Sequence, residues 1–396
     1  MNILFVFFTL PHLSQSAMYS DMVNVFHKNG HKVFPMAPIN GKENKSFISI
    51  EEGIDVLRTQ TIDVFSKNKF KKGFANILLP YQFKKSYKKF WRNNKIDLII
   101  VATPSVMFAD FISYVKKETQ AKVLLMQKDI FPQNAVDLGF MKKDGLTYNF
   151  FKKNEVKLLS TADFIGCTSP GNIDYLLKHN DFLNDRKVKL LYNSANLLEF
   201  SSDQNIRSKY HLENKFVVVF GGNMGKPQQL ENVLSLARKC TVYSNVQFLV
   251  IGTGTEVEDL KKEAQKLELK NLQFIAKVPR EEYFELLSNC NMGLISLHQN
   301  FTVPNTPMKL NDYLNAGIPV LASIDRSNDL GIILEKNRMG KFAYADSPED
   351  LFSVFKELYE DESKCRELGK NGKKFCLENL SADKSYETIL EIIKSV

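Results

Sequence analysis

Over 303–320 the chain reads V-P-N-T-P-M-K-L-N-D-Y-L-N-A-G-I-P-V, and two of its side chains could do chemistry together. Lys309 and Asp312 stand three apart, so a helix would carry both on one face. A cation and a carboxylate in that arrangement suit a sugar nucleotide, the cation for diphosphate and the carboxylate for ribose hydroxyls. A solvated ion pair is the plainer alternative. Thr306 is a capping type, Pro307 suits a first helical position and Gly317 a left-handed stop, which predicts a short helix between them. The N-terminal end of that helix, with Thr306, Met308 and Lys309, would favour an anion.

A second constellation is the loop G-G-N-M-G-K at 221–226, between the apolar run F-V-V-V-F and a helical pattern expected from Pro227. Leu230, Val233, Leu234 and Ala237 recur at i, i+3, i+4 and i+7, one buried helix face. Gly222, Asn223 and Gly225 would let backbone amides approach a ligand closely, and Lys226 adds positive charge. The G-K-[ST] ending of a Walker loop is missing. Gly252, Thr253 and Gly254 end another apolar run, but Val257 stands where a dinucleotide fingerprint needs its third glycine. A structural turn is the simpler reading there.

In the first half, Lys128 and Asp129 directly follow the run V-L-L-M-Q, so they sit at a strand's carboxyl end. Asp129 could orient an acceptor hydroxyl, act as a base, or cap a turn. His12, Ser14 and Ser16 occupy the loop after the first strand. The six histidines show no metal-ligand pairing, and no D-x-D ends a strand, so no divalent metal site is expected. The stretch 65–95 has ten basic residues, among them Lys71, Lys72, Lys84 and Lys85, and no acidic one. Phe74, Trp91 and other aromatics are interleaved, which fits an anionic membrane surface. A solvated basic face is the alternative. No RNA-binding signature accompanies the stretch, so nucleic acid is not expected as a partner.

Positioning these groups falls to two passes of strand–helix alternation. The first places strands at 3–8, 98–102, 122–126, 164–168 and 188–192, with H-K-V-F-P-M as the second strand and a helix over 17–29. The second pass places strands at 216–220, 246–251, 272–275, 292–296 and 320–322. Short apolar runs alternating with amphipathic helices imply parallel sheets covered on both faces. The pattern lapses near 195–203, so two doubly wound, Rossmann-like α/β domains are expected to face a cleft: 1–197 and 198–380, followed by a closing helix over 381–396. At 396 residues the chain has the length for two such cores. Five cysteines without C-x-x-C spacing fit a reducing compartment, and the apolar start ends near Pro11, too soon for a signal segment.

Taken in order, these motifs resemble family 4 retaining glycosyltransferases of GT-B architecture. The likeness is densest in F-G-G-N-M-G-K-P-Q-Q-L, F-L-V-I-G-T-G-T-E, N-L-Q-F-I-A-K-V-P-R-E-E and N-D-Y-L-N-A-G-I-P-V. K-D-I-F-P-Q-N-A-V-D-L-G and A-D-F-I-G-C-T-S-P are similar to the branch that builds capsule and O-antigen polysaccharides, N-acetylfucosamine-type transferases included. The resemblance implies transfer of a sugar, an N-acetylated or deoxy amino sugar, from a nucleotide diphosphate donor, UDP-linked, to a polyprenyl-diphosphate-linked glycan. It implies no metal or other cofactor, a place at the cytoplasmic face of the plasma membrane, and a closing helix over 381–396 that crosses back to the first domain. Donor binding falls to Gly222, Asn223, Gly225, Lys226, Gly252, Thr306, Met308, Lys309 and Asp312. Acceptor binding falls to His12, Ser14, Ser16 and Lys128, with Lys226, Lys309 and Asp129 catalytic. Pro304 stands where the family has the first of two glutamates, and Asp312 at the second. A nucleotide-sugar epimerase of the same fold, or a non-catalytic nucleotide- or membrane-binding protein, are the rival expectations.

Overall fold

The structure, a computed structural model, describes residues 1–39, 45–63, 69–198 and 205–394, without the side chains of 69–72. Two compact units divide the chain: Met1–Asn196 with Ser381–Val396, and Leu197–Leu380.

In the first unit, β1 (Asn2–Val6), β2 (Lys32–Pro38), β3 (Phe47–Glu51), β4 (Ile54–Thr59), β5 (Leu98–Ala102), β6 (Lys122–Gln127), β7 (Phe164–Cys167) and β8 (Val188–Leu190) make one sheet. Its order is β3-β4-β2-β1-β5-β6-β7-β8. Every pair is parallel except the β3–β4 hairpin. Side chains alternate across β1 and so feed two cores. Leu4 and Val6 join Phe83, Tyr87 and Trp91, whereas Ile3 and Phe5 join Phe26, Ile389 and Ile392. The last two come from the closing helix Ala382–Lys394, whose Ser381 Oγ accepts from Lys384 N at 3.0 Å as an N-cap.

In the second unit, β9 (Phe216–Asn223), β10 (Val246–Thr253), β11 (Leu272–Ile275), β12 (Met292–Ser296), β13 (Val320–Ile324) and β14 (Gly340–Tyr344) form a second sheet. The order is β11-β10-β9-β12-β13-β14, parallel throughout. Both sheets are thus the parallel α/β type that the apolar runs predict.

Several local expectations are corrected. The hairpin β3–β4 was not anticipated, although F-I-S-I-E and I-D-V-L-R-T flank Glu52 and Gly53, both at positive φ. β14 was likewise missed. The helix expected from Pro227 is a 3-10 turn, Lys226–Gln228, followed by the helix Glu231–Lys239. The helix near 310 spans Lys309–Ala316 with Met308 as N-cap, so Thr306 does not cap it and Pro307 is not its first residue. Leu310 N donates to Pro307 O and Asn311 N to Met308 O, both at 3.0 Å, so the chain enters the helix through a tighter i+3 turn. Gly317 ends it in the left-handed region at φ 72°.

The basic aromatic stretch also divides. Ala75, Leu79, Phe83, Tyr87 and Trp91 are buried at four-residue spacing within the first core, along and just after the helix Lys69–Phe90. Trp91 is therefore a core residue and not part of a membrane surface. The other side of that helix exposes Phe74, Ile77 and Tyr81, with Lys85 and Lys88 continuing it. Lys84 lies over the Tyr114 ring at 4.0 Å. The expectations for Lys71 and Lys72 fall outside the described side chains.

Candidate active site

The carboxyl end of β9 and the start of the helix Lys309–Ala316 are locked together by one tyrosine. Tyr313 is fully buried, its hydroxyl accepts from Gly221 N at 2.9 Å and donates to Leu294 O at 3.2 Å. Its ring fills the space beside Gly293, where a Cβ would meet it at 2.4 Å. With the helix so fixed, the end of Lys309 comes beneath the loop. Its Cε is 3.6 Å from where a Cβ on Gly222 would stand. Lys309 Nζ donates to Gln228 Oε1 at 2.6 Å and sits 3.6 Å from the Phe220 ring centre.

Gly222 is exposed, at φ +125°, so it offers backbone to a ligand in a conformation other residues rarely adopt. The β9–β10 ladder runs on through Gly222 opposite Gly252 and Asn223 opposite Thr253. A Cβ on Gly252 would meet Gly222 O at 2.0 Å, and one on Gly254 would meet Met224 O at 2.1 Å. Gly252 thus supports the loop as a structural turn. Gly225 begins the 3-10 turn, with Asn223 Nδ2 3.0 Å from where its Cβ would lie.

Lys309 and Asp312 are half-buried and do not form the solvated ion pair that their spacing allowed. Burial pushes the Lys309 ammonium well below the usual lysine range, with Asp312 opposing the shift. Burial lifts the Asp312 carboxyl to about 7, against the pull of Arg280 and Lys309. Lys226 is exposed nearby in the chain, and its charge helps hold His298 below the usual histidine range, after burial. Thr306 and Met308 are half-buried in the segment leading to Lys309.

Arg280 was not singled out by the sequence. It opens the helix Arg280–Ser288, lies over the Phe284 ring at 4.8 Å and keeps a buried Nε without a hydrogen-bond partner among the described residues. Its signal was P-R-E-E, a basic residue at a helix start where acidic ones are favoured.

In the first unit, the loop after β1 carries His12, Ser14 and Ser16. His12 is exposed, its Nδ1 2.8 Å from Ser14 Oγ. The loop is held from beneath by a buried pair on the unanticipated hairpin. Arg58 donates to Leu10 O at 2.7 Å, Pro11 O at 3.1 Å and Glu51 Oε1 at 2.9 Å, while Glu51 Oε2 accepts from Leu13 N at 3.0 Å. Ser16 Oγ donates to Asp21 Oδ2 at 3.0 Å, and Asp21 also accepts from Asn196 N and Nδ2. Lys128 and Asp129 stand just past β6, where both backbone N–H groups donate to Thr103 Oγ1. Burial raises the Asp129 carboxyl and, with Asp129, raises the Tyr19 hydroxyl. Among the described residues no cluster of three His, Cys, Asp or Glu could hold a metal ion, and no helix is long and apolar enough to cross a membrane.

Residues 201–375 match the family model for glycosyl transferases group 1, a span that covers the Lys309 site and most of the second unit. Together with the fold, this match supports a glycosyltransferase of the GT-B class. Among relatives, the chain is 25% identical over 294 residues to a protein of Pseudomonas aeruginosa named probable glycosyltransferase WbjE, covering 73% of this chain and 72% of that one. Among solved structures, it is similar to sucrose-phosphate synthase from Thermosynechococcus elongatus, with TM-score 0.79, 14% identity and coverage of 100% and 98%. It is also similar to Anabaena Alr3699/HepE in complex with UDP-glucose, with TM-score 0.72, 13% identity and both chains covered in full. A third is WaaG, a glycosyltransferase involved in lipopolysaccharide biosynthesis, with TM-score 0.67, 12% identity and 99% of each chain covered. These structural likenesses establish the fold they share.

Proposed function

We propose that this protein is a retaining, metal-independent glycosyltransferase that moves a sugar from a UDP-linked donor to a lipid-diphosphate-linked glycan in polysaccharide synthesis. An N-acetylated or deoxy amino sugar is the donor group we favour. The observation that carries the reading is Lys309, held under Gly222 by Gln228 and Phe220 within the segment that matches the group 1 model.

On this reading the second unit binds the nucleotide. Exposed backbone at Gly222 and Asn223, with Lys226 and Lys309, receives the diphosphate, and Asp312 receives the ribose hydroxyls. As the bond to the sugar breaks, charge develops on the leaving diphosphate. Groups already aimed at it stabilise that charge without reorganising. The diphosphate itself takes the proton of the acceptor hydroxyl on the same face, so no enzyme carboxylate attacks. Asp129 orients that hydroxyl, with His12, Ser14 and Ser16 on the acceptor side. The exposed Phe74, Ile77 and Tyr81 with Lys85 and Lys88 support adsorption to an anionic membrane, each near-surface cation contributing about 1 kcal/mol.

The test is a panel of UDP- and GDP-sugars, read first as thermal stabilisation and then as product anomeric configuration by NMR. UDP-sugars should stabilise by mass action and yield a product of retained configuration. Lys309→Ala should lower turnover by roughly 10²–10³-fold. Undiminished turnover in that variant would sink the assignment. Sedimentation with anionic liposomes at moderate salt checks the membrane contact independently.

A further inference from the structure

The first unit holds a cation that its own fold does not use. Lys128 Nζ is buried and has no hydrogen-bond partner among the described residues. It does not reach Asp129 as an ion pair, although the two are adjacent in sequence. Its backbone is fixed by Thr103 Oγ1 at 2.8 Å, so the side chain leaves the end of β6 from a defined point. Two more buried polar atoms nearby in the fold are also without partners: Gln127 Oε1, on the last residue of β6, and Ser105 Oγ, just past the neighbouring β5. Gln127 spends its amide on Asp129 O at 2.8 Å, which leaves its carbonyl oxygen unspent.

An ammonium buried without a partner is costly to a folded protein unless a ligand anion completes it. We propose that Lys128 anchors an anionic group of the acceptor, a phosphate or a carboxylate, lying close to the hydroxyl that Asp129 orients. The inference rests on the acceptor-side reading given above, and adds that the acceptor is charged near its reacting end. Two sources would supply that charge: the diphosphate of a lipid carrier one sugar away, or the carboxylate of an acidic sugar.

The charged and titratable groups facing Lys128 are Asp129 on its own strand end and Cys167 at the end of β7. Burial pushes the Cys167 thiol up to about 12, so it is neutral at ordinary pH. Burial lowers Lys128 to about 7. Anion capture by the wild-type protein therefore weakens as pH rises through that value, because the free lysine loses its proton. An arginine keeps its charge there.

The experiment uses the full chain with its donor site saturated by UDP, and titrates geranyl diphosphate, methyl glucuronide and their neutral counterparts, geraniol and methyl glucoside. One anion should bind at least tenfold tighter than its neutral counterpart, and Lys128→Met should lose that margin. Lys128→Arg should keep it and remove its decline between pH 6.5 and 8.5. Lys128→Met should melt at the same temperature as wild type or higher, since it deletes an unpartnered charge. Which anion wins separates a lipid diphosphate from an acidic sugar. No preference for either anion, or equal binding by Lys128→Met, would overturn the proposal. Failure of UDP itself to stabilise the wild-type protein would instead count against the transferase reading, whatever Lys128 does.

Discussion

Each unit follows its first strand with a loop that carries candidate site residues, and the two loops are held in opposite ways. After β9 the backbone is fixed by backbone: Gly222 and Met224 press against Gly252 and Gly254 so closely that no Cβ fits. After β1 the loop is fixed by long side chains, with Arg58, Glu51, Asn24 and Asp21 each bonding to it or its flank. A glycine-packed loop presents amides in one fixed geometry, which suits a constant group such as a diphosphate. A side-chain-pinned loop can change its sequence while keeping its anchor, which suits a variable partner.

The contrast breaks most readily at Arg58. Arg58→Met strands Glu51, which is 2% exposed, and should cost about 3–5 kcal/mol of stability in the first unit. Hydrogen exchange should show the loop around residues 10–16 opening, while thermal stabilisation by UDP survives. If UDP stabilisation disappears as well, the two loops are not independent. Gly252→Ala is the converse. A Cβ 2.0 Å from Gly222 O, at φ +141°, should cost on the order of 2–3 kcal/mol and abolish UDP binding. Exchange in the loop after β1 should be untouched.

Smaller effects sharpen the picture. Ser16→Ala removes one hydrogen bond to the buried Asp21 and should cost about 1 kcal/mol, read by urea denaturation. Asp312 gives a pH signature with a definite sign. Its folded carboxyl holds a proton up to about 7, above its ordinary value of 3.8. The folded state therefore binds more protons than the unfolded one between those values, and stability falls as pH rises across them. Asp312→Asn should flatten that slope in denaturation curves at pH 4, 5.5 and 7. A parallel slope in wild type and variant would show that Asp312 does not titrate as described.

The strands were legible because parallel sheets bury both faces, so V-V-V-F, L-I-I-V-A and V-L-L-M could be little else. The Gly317 stop was legible because it needs only its neighbours. The start of the helix at Lys309 was not, because Thr306 and Pro307 satisfy the local rule for a helix start two residues too early. Trp91 misled for a related reason. Composition put it among lysines, but its place four residues after Tyr87 and eight after Phe83 belonged to the core. Arg58 stayed hidden because the backbone it holds is distant in sequence. Leu10 lies 48 residues from Arg58, and no local pattern announces that contact.

The closing helix has a further consequence, for the order in which the protein is made. Ile389 and Ile392 belong to the core of the first unit, and Tyr386 reaches His31 at 3.0 Å. That core lacks part of its filling until the ribosome has passed all of Leu197–Leu380. The second unit is contiguous and has its whole sequence first. Nascent chains should therefore acquire protease resistance there before the N-terminal residues do, a reversal of the usual N-to-C order. A chain released before Ser381 would leave the helix Met18–Lys28 with an uncovered apolar face, a natural target for chaperones.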